Sequence, residues 1–161
     1  LPEGAGGFRL GSALDDAARL CTKSSLLFTK TADGGECSGA PIPLADPSKA
    51  ILRACGATIC AIEMQVTVVP ADLATKYDQY QTTLRAKFGT PKEAAAEIPA
   101  DCKADLAACV NAGKAPAGAS WKWPDGHLAK VELAKTTKGQ TVRVTYATPD
   151  FGKRDAVGPS L

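Results

Sequence analysis

The sequence has little of several features by which a function is usually recognised. It contains one histidine and one methionine among 161 residues, and 19 basic against 17 acidic side chains leave a net charge of only +2. One histidine gives little basis for a metal site, and the balanced charge lacks the clustered basic excess of nucleic-acid binders. No apolar run approaches the roughly 18 residues of a membrane-spanning helix. We therefore expect no metal, no cofactor, no nucleic-acid partner and no span.

Cysteine, by contrast, occurs in an informative number. The six cysteines are separated by 16, 18, 5, 42 and 7 residues, whereas zinc sites favour closely spaced Cys-x2-4-Cys pairs. An even number in a short chain predicts disulfides, which persist in oxidising compartments. We therefore expect three disulfides among the following residues: Cys21, Cys37, Cys55, Cys60, Cys102 and Cys109.

The first helix is predicted to carry one of these cysteines on its apolar face. Ser12 resembles an N-cap, with Asp15 at the capping-box position, and Cys21 continues the apolar spacing of the helix. Cys37 comes just after the predicted turn at residues 33–35. A Cys21–Cys37 bridge would join the end of the helix to the returning strand.

The other four cysteines lie in two local pairs. Cys55 and Cys60 flank a predicted turn at residues 56–57 and could pair across the hairpin. Cys102 and Cys109 would be about 10.5 Å apart on a straight helix, which is too far for a bridge. Either this segment forms a loop closed by Cys102–Cys109, which we favour, or the pairing is different.

Two segments show clear periodicity. The first alternates apolar and polar residues, as in a strand with one solvated face; its apolar positions are Ile62, Met64, Val66 and Val68. The second predicts a helix that Asp72 caps and that Gly89 and Pro91 end. Its apolar stripe consists of Leu73, Tyr77, Tyr80, Leu84 and Phe88.

The order of predicted elements indicates one α+β domain. We expect a flexible spacer at 1–7, the domain at 8–150 and a loose tail at 151–161. The domain divides into two diverged halves, 8–69 and 70–150, each a helix followed by an antiparallel meander. Since neither half would bury its helix well alone, we expect one antiparallel sheet with two helices packed on one face.

Two short motifs carry a resemblance to a known family. Residues 8–12 (Phe-Arg-Leu-Gly-Ser), followed by Asp15 and Asp16, resemble the opening of small exported domains of the outer-membrane assembly lipoprotein type. Residues 87–91 (Lys-Phe-Gly-Thr-Pro) are similar to the helix-ending motif of those domains. A tandem of such units resembles the β-lactamase-inhibitor protein fold, and the layout also resembles secreted proteins of GC-rich bacteria. The resemblance implies a bacterial protein that acts by binding another protein.

The start of the chain also bears on location. Residues 1–7 lack the charged-then-apolar pattern of a signal peptide, so we expect that a signal was removed before Leu1. These residues would suit the spacer behind a trimmed lipid anchor, the one route by which we expect a membrane association. The predicted location is the periplasm or the extracellular space.

Candidates for catalysis have simpler explanations. His127 follows Asp125 and Gly126 in a predicted turn; Asp125 could orient its imidazole, but a turn residue at the mouth of a hairpin fits the same pattern. Glu63 and Glu132 could form the carboxylate pair of a glycosidase, although solvated strand residues explain them equally well. We therefore expect no enzyme.

Candidates for binding lie in the last third of the sequence. Trp121 and Trp123 are two residues apart on a predicted strand and would share one side of the sheet. They would either pack beneath a helix or, if exposed beside the following turn, form a binding platform. Basic residues on the same strands predict a mildly basic face: Lys122, Lys130, Lys135, Lys138 and Arg143. The candidate binding residues are Trp121, Trp123, Lys122, His127 and Arg143.

These observations lead to two functional hypotheses. In the first, the protein is a monomer that recognises or structurally supports another envelope or extracellular protein, and an inhibitor-like role belongs to this class. In the second, it binds a small ligand (a sugar, a lipid or a peptidoglycan fragment) through Trp121 and Trp123.

Overall fold

The computed structural model of the protein describes residues 1–41, 47–91, 98–113, 118–136 and 139–157. In these residues the helices are α1 Leu14–Lys23, α2 Leu73–Phe88, α3 Leu106–Asn111 and α4 Pro149–Val157. The strands are β1 Gly4–Ala5, β2 Phe8–Arg9, β3 Leu27–Thr31, β4 Gly34–Pro41, β5 Pro47–Cys55, β6 Thr58–Thr67, β7 Gly118–Lys122, β8 Leu128–Thr136 and β9 Gly139–Ala147. None of the described helices is long and apolar enough to span a membrane.

The main sheet confirms the predicted α+β class. Its seven strands follow the order β3-β4-β5-β6-β9-β8-β7, and β3, β4 and β5 pair antiparallel. β1 and β2 form a separate two-stranded sheet. The described residues contain four helices where two were expected, because α3 has only six residues and α4 has too few apolar residues to form a stripe.

The chain divides into two compact units. Unit 1 comprises Leu1–Met64, Lys122–Ala129 and Thr145–Leu161, and unit 2 comprises Gln65–Trp121 and Lys130–Val144. Their boundaries differ from the two successive halves expected from the sequence, because each unit combines segments that are distant along the chain.

In unit 1, α1 is joined to the sheet by the first disulfide. Ala17 and Cys21 are its buried residues, and Cys21 bonds Cys37 on β4 with a Cα–Cα distance of 6.0 Å. The predicted cap is wrong: the Ser12 hydroxyl donates to the Arg9 carbonyl oxygen at 2.7 Å, and Ala13 occupies the N-cap position without a side-chain hydrogen bond. Here the disulfide, not a capping box, secures the helix.

The second disulfide closes the β5–β6 hairpin, as its spacing indicated. Cys55 and Cys60 bond across the turn with Cα atoms 5.6 Å apart. On β6 the predicted alternation is also present, since Ile62 and Met64 are fully buried whereas Glu63 is partly exposed.

Both ends of the chain contain structure that the sequence did not predict. In the expected spacer, Gly4 and Ala5 pair with Arg9 and Phe8, and Phe8 is 4% exposed, so a small hairpin is anchored by one buried ring. Most of the expected tail is α4, although residues 158–161 lie outside the described part. The Thr148 N–H and hydroxyl, just before α4, donate to the Cys60 carbonyl oxygen at 2.9 and 3.3 Å.

Unit 2 is built around α2, whose predicted bounds are confirmed. Its buried residues are Leu73, Tyr77, Tyr80 and Leu84. Gly89 ends the helix with φ +81°, and its N–H donates to the Arg85 carbonyl oxygen at 2.8 Å. Asp72 occupies the N-cap position but makes no cap hydrogen bond, because a 3-10 turn at Pro70–Asp72 leads into the helix instead.

The third disulfide follows the looped alternative. A 3-10 turn at Ala100–Cys102 precedes the short helix α3, and Cys102 bonds Cys109 with a Cα–Cα distance of 5.7 Å. The Asp105 carboxylate caps α3 by accepting the Ala108 N–H at 3.1 Å. The change of direction before α3 brings the two cysteines together. With all six cysteines paired, the chain has the disulfides typical of a protein outside the cytoplasm.

Candidate functional site

The five residues that connect β7 to β8, Trp123 to His127, form a tight turn, here called the tip turn. The Gly126 N–H donates to the Trp123 carbonyl oxygen at 2.9 Å, which closes a four-residue turn. The Trp123 N–H donates to the His127 carbonyl oxygen at 3.0 Å and begins the return. Pro124 is in the second position, where its fixed φ suits the turn. The local sequence therefore dictates this conformation.

A close contact between Gly126 and Pro149 supports the tip turn. Gly126 has φ +101°, and a Cβ at this position would lie 3.1 Å from the Pro149 Cβ at the start of α4. A side chain would therefore meet both backbone strain and a close neighbour. Gly126 lets the turn pack directly on Pro149, which limits its movement.

Asp125 and His127 add two hydrogen bonds across the tip turn. The Asp125 Oδ1 accepts the His127 backbone N–H at 3.0 Å, and its Oδ2 lies 2.8 Å from the His127 Nδ1. The pKa of the Asp125 carboxyl lies below its usual range, mainly because the carboxylate accepts the His127 backbone N–H and, to a smaller extent, because it bonds the His127 ring. The turn thus presents an ionised and oriented carboxylate whose side chain is half exposed.

The two tryptophans have different environments. Trp121 is 3% exposed; its Nε1–H donates to the Gly89 carbonyl oxygen at 2.8 Å, and its ring lies 6.1 Å from that of Phe88. Trp121 is therefore a core residue of unit 2 and does not offer a surface contact. Trp123 is partly exposed and belongs to the tip turn, because β7 ends at Lys122. The expectation of two tryptophans on one strand is wrong for this reason.

The charged candidate residues also have different environments. Lys122 is exposed at the end of β7. In unit 2, the Glu132 Oε1 lies 3.2 Å from the Arg143 Nη2 and 3.4 Å from the Lys130 Nζ, so one carboxylate serves two cations. Arg143 makes this ion pair through its Nη2, whereas its buried Nε has no hydrogen-bond partner within the described part of the chain.

The remaining basic and acidic candidates also have local partners. The Lys135 Nζ lies 3.5 Å from the Asn111 carbonyl oxygen, and Lys138 lies outside the described residues. In unit 1, the Glu63 Oε1 is 4.0 Å from the Arg53 Nη2, an ion pair at the limit of contact. Glu63 and Glu132, the two residues considered as a carboxylate pair, thus each form an ion pair with a basic side chain.

The predicted site residues fall in both units. Trp123 and His127 belong to the tip turn, and Lys122 directly precedes it; Trp121 and Arg143 belong to unit 2. Sequence reasoning treated Asp125 only as a possible partner of His127, although Asp-Gly-His in a turn is a signal for a carboxylate that bonds its own backbone. The contact of Gly126 with Pro149 had no signal, because it joins residues far apart in sequence.

No group of three or more metal-binding side chains occurs within the described ranges. Comparison with protein-family models, with curated proteins and with solved structures finds no match to this chain. The geometry of the tip turn is therefore the basis of the functional argument.

Proposed function

We propose that this protein is a non-catalytic, exported protein of the periplasm or the extracellular space, and that it recognises another protein through the tip turn. The observation that carries the proposal is a partly exposed tryptophan on a turn held by four hydrogen bonds and by the Gly126–Pro149 contact. Tryptophan is enriched among the few residues that dominate binding energy at protein interfaces.

Rigidity is the second part of the argument. A segment already held in its bound conformation loses less conformational entropy on association, which improves affinity without adding contacts. The tip turn meets this condition, and its carboxylate offers a directional contact to a cationic group of a partner. An inhibitor-like role belongs within this proposal, because inhibitors commonly bind through preorganised loops.

The small-ligand alternative has less support. It relied on two tryptophans at one surface, and Trp121 is buried with its indole N–H already donating to Gly89. A single partly exposed ring remains for such a ligand to stack on.

The test is affinity capture from the envelope fraction of the source cells, followed by titration of the captured partner. Trp123→Ala should weaken the partner's affinity about tenfold or more, as truncation of an interface anchor does. Val69→Ala is the matched control, since Val69 is an exposed apolar residue (61%) outside the tip turn and should leave the affinity unchanged. Melting curves must show that both variants fold.

Equal affinity of the Trp123→Ala variant and the unaltered protein would contradict a role for the tip turn. A protein that captures no stoichiometric partner but changes its tryptophan fluorescence with sugars, lipids or peptidoglycan fragments would support the small-ligand alternative instead.

A further inference from the structure

The strand β3 forms one edge of the main sheet. It is the first strand in the sheet order and pairs with β4, Leu27 opposite Ser38 through Thr31 opposite Gly34. Among the described strands it has a neighbour on one side only. A strand in this position presents a row of N–H and C=O groups that another strand can bind.

This edge carries little of the protection that such strands usually have. Natural edges are often blocked by proline, by several charges or by a covering segment. Leu27–Thr31 contains no proline and one charged residue, Lys30. Leu27, Thr29 and Lys30 are exposed, and Leu27, at 66%, is more exposed than the other exposed large hydrophobic residues in the described part of the chain.

We propose that β3 pairs antiparallel with β3 of a second copy of this chain, with Thr29 at the centre. Centring on Thr29 pairs all five residues of the strand, the largest number that any register offers. Thr29 then faces its own counterpart, Phe28 faces Lys30, and Leu27 faces Thr31. The interface is symmetric, as in most homodimers, because the same residues contribute on both sides.

The side chains of the strand are compatible with one another in this register, because it keeps the two lysines apart. Each Lys30 lies opposite Phe28 and not opposite a second lysine, and the central threonines form a favourable cross-strand pair. A register centred on Lys30 would instead place two lysines opposite each other, which is destabilising. A second copy thus supplies a fitting strand from the sequence already present.

The dimer is expected to be weak. Five residues on each side form an interface near or below the smallest class of specific protein contacts, which bury less than about 1,200 Å². The monomer expected from the sequence is then the dilute form, and association should appear from tens of micromolar upward.

The test is analytical ultracentrifugation of the full chain from about 1 μM to 1 mM, with two matched variants that each add one positive charge to the same face of β3. Thr29→Lys places two lysines opposite each other and should weaken self-association about tenfold or more. Thr31→Lys faces Leu27 of the second copy and should change it less than about threefold. Mixing the Thr29→Lys and Thr29→Glu variants should restore association, because opposite charges then meet.

Three results would overturn the proposal: a monomer at all concentrations, equal weakening by Thr29→Lys and Thr31→Lys, or association that neither variant changes. The first denies the dimer, the second indicates net charge rather than register, and the third places the contact elsewhere. These readouts do not involve the tip turn or its partner, so they are independent of the proposed function.

Discussion

The helices α1 and α2 are held in place by different means. α1 has 10 residues and buries only Ala17 and Cys21, and a disulfide joins it to β4. α2 has 16 residues, buries four large side chains along one stripe and contains no cysteine. Since burial of apolar area is the main stabilising contribution to helix packing, a short helix with small side chains gains little from it. The comparison indicates that the covalent bond at α1 replaces the packing that α2 obtains from size.

The ends of the two helices show a second difference. After α1, Ser25 adopts φ +62°, a left-handed conformation that disfavours any residue with a Cβ. After α2, Gly89 adopts φ +81° directly behind the last helical residue, whereas Ser25 is the second residue behind α1. The positive φ after α2 is therefore adopted by a glycine, which tolerates it, whereas the positive φ after α1 is adopted by a serine, which does not.

The largest effect is expected from truncating the stripe of α2. Leu84 is 2% exposed, so Leu84→Ala should lower the free energy of unfolding by about 2–5 kcal/mol through lost burial and an unfilled cavity. Leu20→Ala on α1 is the control, because Leu20 is 39% exposed and should cost much less. Urea unfolding measures both. Similar losses for the two variants would contradict the assignment of packing to α2 alone.

Removing the first disulfide should affect stability next. The double variant Cys21→Ala/Cys37→Ala should have a free energy of unfolding lower by about 3 kcal/mol, which is the entropic free-energy cost of closing a loop of this length. Hydrogen exchange should then show reduced protection for the amides of α1, while those of α2 keep theirs. Unchanged protection in α1 would mean that packing, not the disulfide, holds this helix.

The dependence of stability on alkaline pH tests the burial of tyrosines, one of which, Tyr77, belongs to the apolar stripe of α2. Burial raises the pKa of Tyr77 to about 12, and also that of Tyr146 on β9. An unfolded tyrosine titrates near 10, so between pH 10 and 12 the unfolded chain loses a proton that the native state keeps. Stability therefore falls as pH rises through this window, by on the order of 2 kcal/mol for each tyrosine.

Tyr77→Phe should reduce that decline by roughly half, as should Tyr146→Phe, in unfolding curves recorded at pH 9, 10 and 11. At pH 7 the Tyr77→Phe change should cost little, because the buried hydroxyl has no hydrogen-bond partner among the described residues. A pH dependence that neither substitution alters would show that other groups cause the decline.

The smallest effects, of opposite sign, are expected at the helix ends. Ser25→Gly should stabilise the protein by about 0.5–1 kcal/mol, because glycine adopts a left-handed conformation without strain. Gly89→Ala should destabilise it by about 1–2 kcal/mol, since the open space around Gly89 leaves backbone strain as the main cost. Thermal melts measure both, and equal signs would contradict the difference between the two ends.

The parts of the fold that the sequence predicted are those with a local signal. The stripe from Leu73 to Leu84 has a period that only a helix satisfies, and Gly89 with Pro91 marks its end. The three observed disulfides are the pairings that the sequence suggested, two of them from predicted turns and Cys102–Cys109 as the favoured of two alternatives. β1 was missed because a two-residue strand has no period to detect, and it is held by pairing with β2, where Phe8 is buried. α4 was missed because its nine residues include few apolar side chains.

The candidate site divides in the same way. Pro124, Asp125 and Gly126 predicted the turn from local chemistry, and His127 was placed in it. Which of Trp121 and Trp123 would be accessible had no local signal, because both are apolar rings two residues apart. Trp121 is buried because its indole N–H bonds the Gly89 carbonyl oxygen and its ring packs beside Phe88. Trp123 differs because β7 ends at Lys122, before it.

The sequence by itself determined the α+β class, the presence of disulfides and the bounds of α2, because each depends on composition, on residues close along the chain or on a repeated spacing. Only the tertiary structure decided which cysteines pair, that Trp123 and not Trp121 is partly exposed, that Gly126 packs on Pro149 and that β3 is an edge. These features depend on contacts between distant segments, whose free energy comes from burial and is not encoded in any one stretch of residues.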